Sequence, residues 1–161
     1  MKRLSSIFAA ALVTAAFAAP AFATSPDVYV VNFRNAQDGN SARLDGELSS
    51  ALAISGVNAE EVIIDTSTAA KWEKGAHEAF DRDIVPVFNQ WVGLPGFAAI
   101  VDAKSKRVIG CVNSTFTANE MAEKIRQMAA TSAGSPYLSR ASVNTKTTTC
   151  PAPHNVDPAG R

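Results

Sequence analysis

The sequence predicts an α/β domain in which one sheet lies between layers of helices. Three observations lead there. Two short runs rich in β-branched residues, 27–33 and 61–65, flank a stretch with helical periodicity, the pattern of a strand–helix–strand crossover. Two further apolar runs, 97–102 and 107–112, are separated only by Ala103-Lys104-Ser105-Lys106, a link that suits an antiparallel hairpin. Signals for a last helix then begin at Thr117. The order is β-α-β-α-β-β-α, a sheet sandwiched by helices.

Composition bounds the function classes. A chain of 161 residues, 47% hydrophobic and 19% charged, suits one globular domain with a tail and excludes wholesale disorder or a collagen-like fibre. Lys+Arg 15 balances Asp+Glu 15, so there is no electrostatic footprint for nucleic acid. Two cysteines exclude a disulfide-dense mini-protein and any four-cysteine metal cage.

The amino terminus reads as an address. Lys2 and Arg3 precede an apolar run over 7–17, and Ala21-Phe22-Ala23 places small residues where a signal peptidase cuts. Residues 1–23 are therefore expected to be a secretory signal peptide cleaved after Ala23. The run is short for a bilayer span, which needs ~20 residues, and Pro20 interrupts its end. Cleavage removes two of the 15 basic residues and leaves a mildly acidic mature chain, 24–161. The expectation is a bacterial periplasmic or secreted protein with no stable membrane insertion after cleavage, in a compartment that permits disulfides.

Each element has a local cause. Residues 28–31 are apolar on both faces, as in a strand covered on two sides. Asp38-Gly39 makes a turn and Ser41 is expected to N-cap a helix whose buried face is Leu44, Leu48, Ala51 and Leu52. Ser55-Gly56 ends it. The run 61–65 reads as a second buried strand, and Thr66–Thr68 offers helix caps. Trp72, Ala76, Phe80, Ile84, Val87, Phe88 and Trp91 recur at three- and four-residue steps, a core-facing amphipathic stretch kinked or broken before Pro86. Gly93-Leu94-Pro95-Gly96 is a sharp boundary before the hairpin. Thr117 and Glu120 form a T-x-x-E capping box, with Phe116 and Met121 as its hydrophobic staple. Met121, Ala122, Ile125, Met128 and Ala129 are the buried face of that helix. Residues 131–161 are rich in Ser, Thr, Pro and Asn and are expected to be an irregular tail without a core of its own, leaving 24–130 as the domain.

Gly93-Leu94-Pro95 opening the third strand, in this order of elements, resembles the thioredoxin-like superfamily. The resemblance covers about 27–130. It implies a cis Leu94–Pro95 bond beside the active site and a C-x-x-C motif at the start of the first helix. The matching positions here are Asp38-Gly39-Asn40-Ser41. Disulfide exchange needs a nucleophilic thiolate and a resolving thiol, and neither a carboxylate nor a hydroxyl supplies them. The stretch from 66 to 96 also exceeds the family's usual spacing and reads as an enlarged helical insertion. The expectation is a divergent member without the redox reaction, binding a protein or peptide of the cell envelope beside Asp38, Gly39, Asn40, Ser41, Leu94, Pro95 and Gly96, and assisting assembly or stability of an envelope complex. No catalytic motif and no cofactor are expected.

Two alternatives stand beside it. Cys111, in the hairpin, and Cys150, in the tail, are expected to form a disulfide pinning the tail, because an exported chain with two cysteines favours pairing. Left free, Cys111 is a small buried apolar residue, or the two thiols serve a thiol-dependent reductase or redox sensor. His77, Glu78 and Asp81 share a helix region that could serve a small-ligand or metal carrier, although Lys71, Lys74 and Arg82 on the same helix suit an ordinary solvated face.

Overall fold

A computed structural model describes residues 25–134 and 149–154. The expected signal segment 1–23 and most of the expected tail lie outside the described residues. The elements are β1 (Val28–Arg34), α1 (Gly39–Ser55), β2 (Ala59–Asp65), α2 (Ala69–Asp81), α3 (Val85–Trp91), β3 (Phe97–Asp102), β4 (Val108–Asn113) and α4 (Ala118–Ser132). The four strands form one mixed sheet in the order β2-β1-β3-β4. β1 and β2 are parallel, with Val31 opposite Val62, and β3 runs antiparallel to both β1 and β4. This is compatible with a thioredoxin-like arrangement.

Alternation along β1 sends its side chains into two cores. Val28 and Val30 join Leu44 and Leu48 of α1 and Met121 and Ile125 of α4 on one face. Tyr29, Val31 and Phe33 join Ala79 of α2 and Val87, Phe88 and Trp91 of α3 on the other. The doubly apolar run at 28–31 is therefore covered on both sides. β2 is covered on one side only, which qualifies the expectation of a second buried strand. Val62 and Ile64 are buried, but Ile63 is 46% exposed. β2 is an edge strand and the α1–α4 layer does not reach over its outer face.

The stretch before Pro86 breaks into two helices. Arg82, Asp83 and Ile84 separate them, Asp83 has a φ of 57°, and Pro86 falls in the first turn of α3, where its missing N–H costs no hydrogen bond. The expected core face is only half right. Ile84, Val87, Phe88 and Trp91 are buried, whereas Trp72 is 45% and Phe80 73% exposed. The cause is a close approach of helix to strand. Gly75 lies so near β2 that an added Cβ would stand 3.4 Å from the Ile64 Cα. The small residues Gly75 and Ala79 form the contact face, and the aromatics turn to its flank. There Trp72 meets the Phe88 ring edge-on, centroids 5.9 Å apart.

β4 spans Val108–Asn113, one position later than the expected 107–112, because Lys106 takes a φ of 61° and carries the turn into Arg107. α4 starts where its signals place it. The Thr117 N–H donates to Glu120 Oε2 at 2.8 Å and the Glu120 N–H to Thr117 Oγ1 at 3.4 Å, a complete capping box. Thr117→Ala is expected to destabilise the protein by about 1 kcal/mol, read as a lowered midpoint in urea at unchanged slope. Among the described residues, no helix is long and apolar enough to cross a membrane.

α4 continues to Ser132. Residues 149–154 then pack on the α3 side of the sheet. Cys150 stands at disulfide distance from Cys111, with Cα atoms 5.0 Å apart. Trp91 Nε1 donates to the Pro151 carbonyl at 2.9 Å, and the His154 N–H donates to the Gln90 carbonyl at 3.0 Å. Cys111 is only 3% exposed. It pairs despite its burial because the returning strap is itself part of what covers it.

Candidate functional site

The loops after β1 and before β3 meet at one end of the sheet. α1 begins there, and its cap is Asp38, not Ser41 as the sequence suggested. Asp38 Oδ2 accepts from the Ser41 N–H at 2.8 Å and from Ser41 Oγ at 2.9 Å. Ser41 is buried beneath the first turn, where its hydroxyl also accepts from the Asn35 N–H at 3.1 Å. Ser41, which the resemblance sets at the place of a resolving thiol, is thus an internal support of the loop. Its burial leaves it unable to reach a ligand.

The second loop crosses directly against this turn. The Gly96 N–H donates to the Phe33 carbonyl at 2.9 Å. A Cβ on Gly96 would sit 3.1 Å from both Asp38 Oδ2 and the Asn40 Cβ, and the φ of Gly96 is +90°, a conformation that suits glycine. The Leu94–Pro95 bond is not cis: no described peptide bond is. This corrects the expectation taken from the resemblance and removes its most specific feature. The chain turns from α3 into β3 through Gly93, φ 92°, and Gly96, and those two glycines supply the reversal without a cis proline.

Asp38, Asn40, Pro95 and Gly96 therefore come together. Gly39 is exposed at the helix start, Ser41 is buried below it, and Leu94 packs against the α3-side core. Asn40, Pro95 and Gly96 line a groove of about 350 Å³, which continues over Phe97, Cys111, Val112, Asn113, Ser114, Thr115, Thr149 and Pro151. Ser114 Oγ donates to Asn40 Oδ1 at 3.3 Å and ties the end of β4 to α1. The Thr115 N–H and hydroxyl both donate to Asn113 Oδ1, at 3.0 and 2.7 Å. Asn113, Ser114, Thr115, Thr149 and Pro151 escape the sequence reading, since only sheet order and the strap bring them beside Asn40. None of the lining residues carries a formal charge.

A polar brace fixes the rear of the loop. The Ala36 N–H donates to Ser67 Oγ at 2.7 Å, and the Thr66 N–H to the Arg34 carbonyl at 3.0 Å. Asp65 holds Ser67 in turn, accepting from its N–H at 2.8 Å and also from its hydroxyl. Lys71 Nζ lies 3.0 Å from the same carboxylate. Burial pushes the Asp65 carboxyl up, but the Ser67 and Lys71 contacts together outweigh it and lower the pKa from 3.8 to about 2. Asp102, bonded by Ser105 and Ser132, is likewise lowered to about 2. A depressed folded pKa adds stability that is full above the unfolded value and is lost as pH falls through the folded one. Thermal stability is expected to fall between about pH 4 and pH 2. Asp65→Asn should flatten that fall and lower stability at neutral pH, by on the order of 2 kcal/mol.

The other sequence candidates do not converge. Glu78 is drawn into an ion pair with Arg82 at 2.5 Å, His77 and Asp81 face solvent, and no group of three or more His, Cys, Asp or Glu is placed to hold a metal among the described residues. Both cysteines are consumed in the Cys111–Cys150 pair. Comparison of the chain with protein-family models, with curated proteins and with solved structures finds no match.

Proposed function

We propose that the chain is an exported, redox-inactive thioredoxin-like binding protein that takes an extended segment of an envelope protein into the groove beside Pro95. The observation that carries this is the groove's lining. It offers side-chain amides and hydroxyls from Asn40, Asn113, Thr115 and Thr149 beside the exposed Pro95 and the partly exposed Pro151, with Phe97 and Val112 nearly buried beneath. Such a surface suits an uncharged, amide-rich ligand, and an extended peptide backbone is one. The sheet order β2-β1-β3-β4 with β3 reversed supports the thioredoxin-like assignment, and Asp38 and Ser41 at the thiol positions account for a fold kept without exchange chemistry. A thiol enzyme built on Cys111 and Cys150 is disfavoured by the burial of Cys111 among Val31, Ala99 and Val101.

The binding test places a photo-crosslinking side chain at Thr115, in the groove, and separately at Lys104, in the β3–β4 turn. Envelope proteins should cross-link from Thr115 and not from Lys104, and Thr149→Trp should abolish the adducts by filling the groove. Equal labelling from both positions would remove the proposal. The assignment of the empty thiol positions has its own test. Wild type should not reduce a general protein disulfide. Asp38→Cys with Ser41→Cys should fold with a loss of about 1 kcal/mol for the missing cap and gain measurable exchange.

A further inference from the structure

We infer that the Cys111–Cys150 disulfide is a latch: its reduction frees residues 149–154 and dismantles one wall of the groove while the sheet stays folded. The role of this latch in binding rests on the groove being the binding site. The disulfide joins the two sides of that site. Cys111 lines the groove from β4, and Thr149 and Pro151 line it from the strap on either side of Cys150. The strap has no helix or strand of its own. Among the described residues, its polar hold on the domain includes Trp91 Nε1 to the Pro151 carbonyl and the His154 N–H to the Gln90 carbonyl, neutral hydrogen bonds that water can replace. The covalent bond is therefore what keeps the wall in place.

The rest of the domain does not depend on it. α1 and α4 cover the opposite face, and α2 and α3 keep Phe33, Ile64, Ile84 and Phe88 buried. Cys150 is only a peripheral neighbour of that core, and a reduced Cys111 would remain in it as a small apolar residue. The chemistry has a direction. Cys150 is partly exposed and Cys111 is buried, so the thiolate of an external dithiol attacks Cys150 Sγ. The S–S bond breaks, and Cys111 leaves as a thiolate that takes up a proton. The second thiol of the reductant then resolves the mixed disulfide and releases Cys150. The protein disulfide gains two electrons, and the dithiol ends as its own disulfide.

Trp91 reports on the latch without any ligand. The chain has two tryptophans, and Trp72→Phe, on the exposed flank of α2, leaves Trp91 alone. In the full-length mature chain, reduction with dithiothreitol is expected to raise acrylamide quenching of Trp91 several-fold and shift its emission to the red. Far-UV circular dichroism should hold, and reoxidation should reverse the change. Cys111→Ala with Cys150→Ala should behave as the reduced protein does. Trp91 still shielded once two thiols titrate would overturn the latch. So would loss of the helical signal on reduction, which would make the disulfide a support of the whole fold. Cross-linking from Thr115 should fall on reduction, and unchanged cross-linking would overturn control of binding. Cross-linking absent even in the oxidised protein, with the Trp91 change present, would leave the latch standing and remove the groove as the binding site.

Discussion

Phe33→Ala is expected to destabilise the protein by about 3–5 kcal/mol, the largest effect of any single substitution proposed. Phe33 is 1% exposed. Its ring stacks on Phe97 with centroids 5.1 Å apart and meets Trp91 edge-on at 6.1 Å. Truncation leaves a cavity lined by two large rings that cannot collapse into it, because Phe97 is held in β3 and Trp91 in α3. The same residue's carbonyl accepts from the Gly96 N–H, so the cavity lies directly under the groove. Urea unfolding followed by far-UV circular dichroism should show the loss. A change below about 1 kcal/mol would mean that the site relaxes freely, contrary to the packing described.

Removal of the disulfide is the second large effect. The bonded residues are 39 apart in sequence. Closing a loop of that size restricts the unfolded chain by about 4 kcal/mol in the chain-entropy account. Cys111→Ala with Cys150→Ala should therefore lower stability towards urea by up to that amount, with the α/β core still cooperative. Trp91 should already be accessible to acrylamide in this variant before any urea is added. A double variant as stable as wild type would show that the described geometry adds nothing to the native state beyond what the unfolded chain retains.

The two predictions differ in how far the sequence announces them. Phe33 lies in a run whose β-branched and aromatic content by itself marks a buried strand. The disulfide is legible only as a pairing that an exporting compartment favours. The site is less legible still. Asp38, Asn40, Pro95 and Gly96 are recoverable only through the resemblance, which expects the loops after the first strand and before the third to meet. Asn113, Ser114 and Thr115 follow a strand that could have ended at either edge of the sheet, and Thr149 and Pro151 sit in a segment of polar, turn-forming composition. No periodicity or cap ties those residues to Asn40.

Local chemistry, by itself, determined most of the elements of this protein. Alternation and β-branching set the strands, Thr117 and Glu120 set the start of α4 through the orphan amides they satisfy, and Gly56, with a φ of 67°, ends α1 where a left-handed residue is needed. Tertiary contact decided the rest. Whether Asp38 or Ser41 caps α1 depends on the loop that Asn35 and Ser67 brace from behind. Trp72 and Phe80 carry the spacing of a core stripe, yet Gly75 lets α2 lie so close to Ile64 that only small side chains fit between. The Leu94–Pro95 bond is trans, between two glycines of positive φ, Gly93 and Gly96. The strap becomes part of the fold because the bond to Cys111 and hydrogen bonds to Trp91 and the Gln90 carbonyl hold it there. A sequence reports propensities that act over a few residues, whereas these outcomes turn on which surfaces meet across the sheet and how closely they approach.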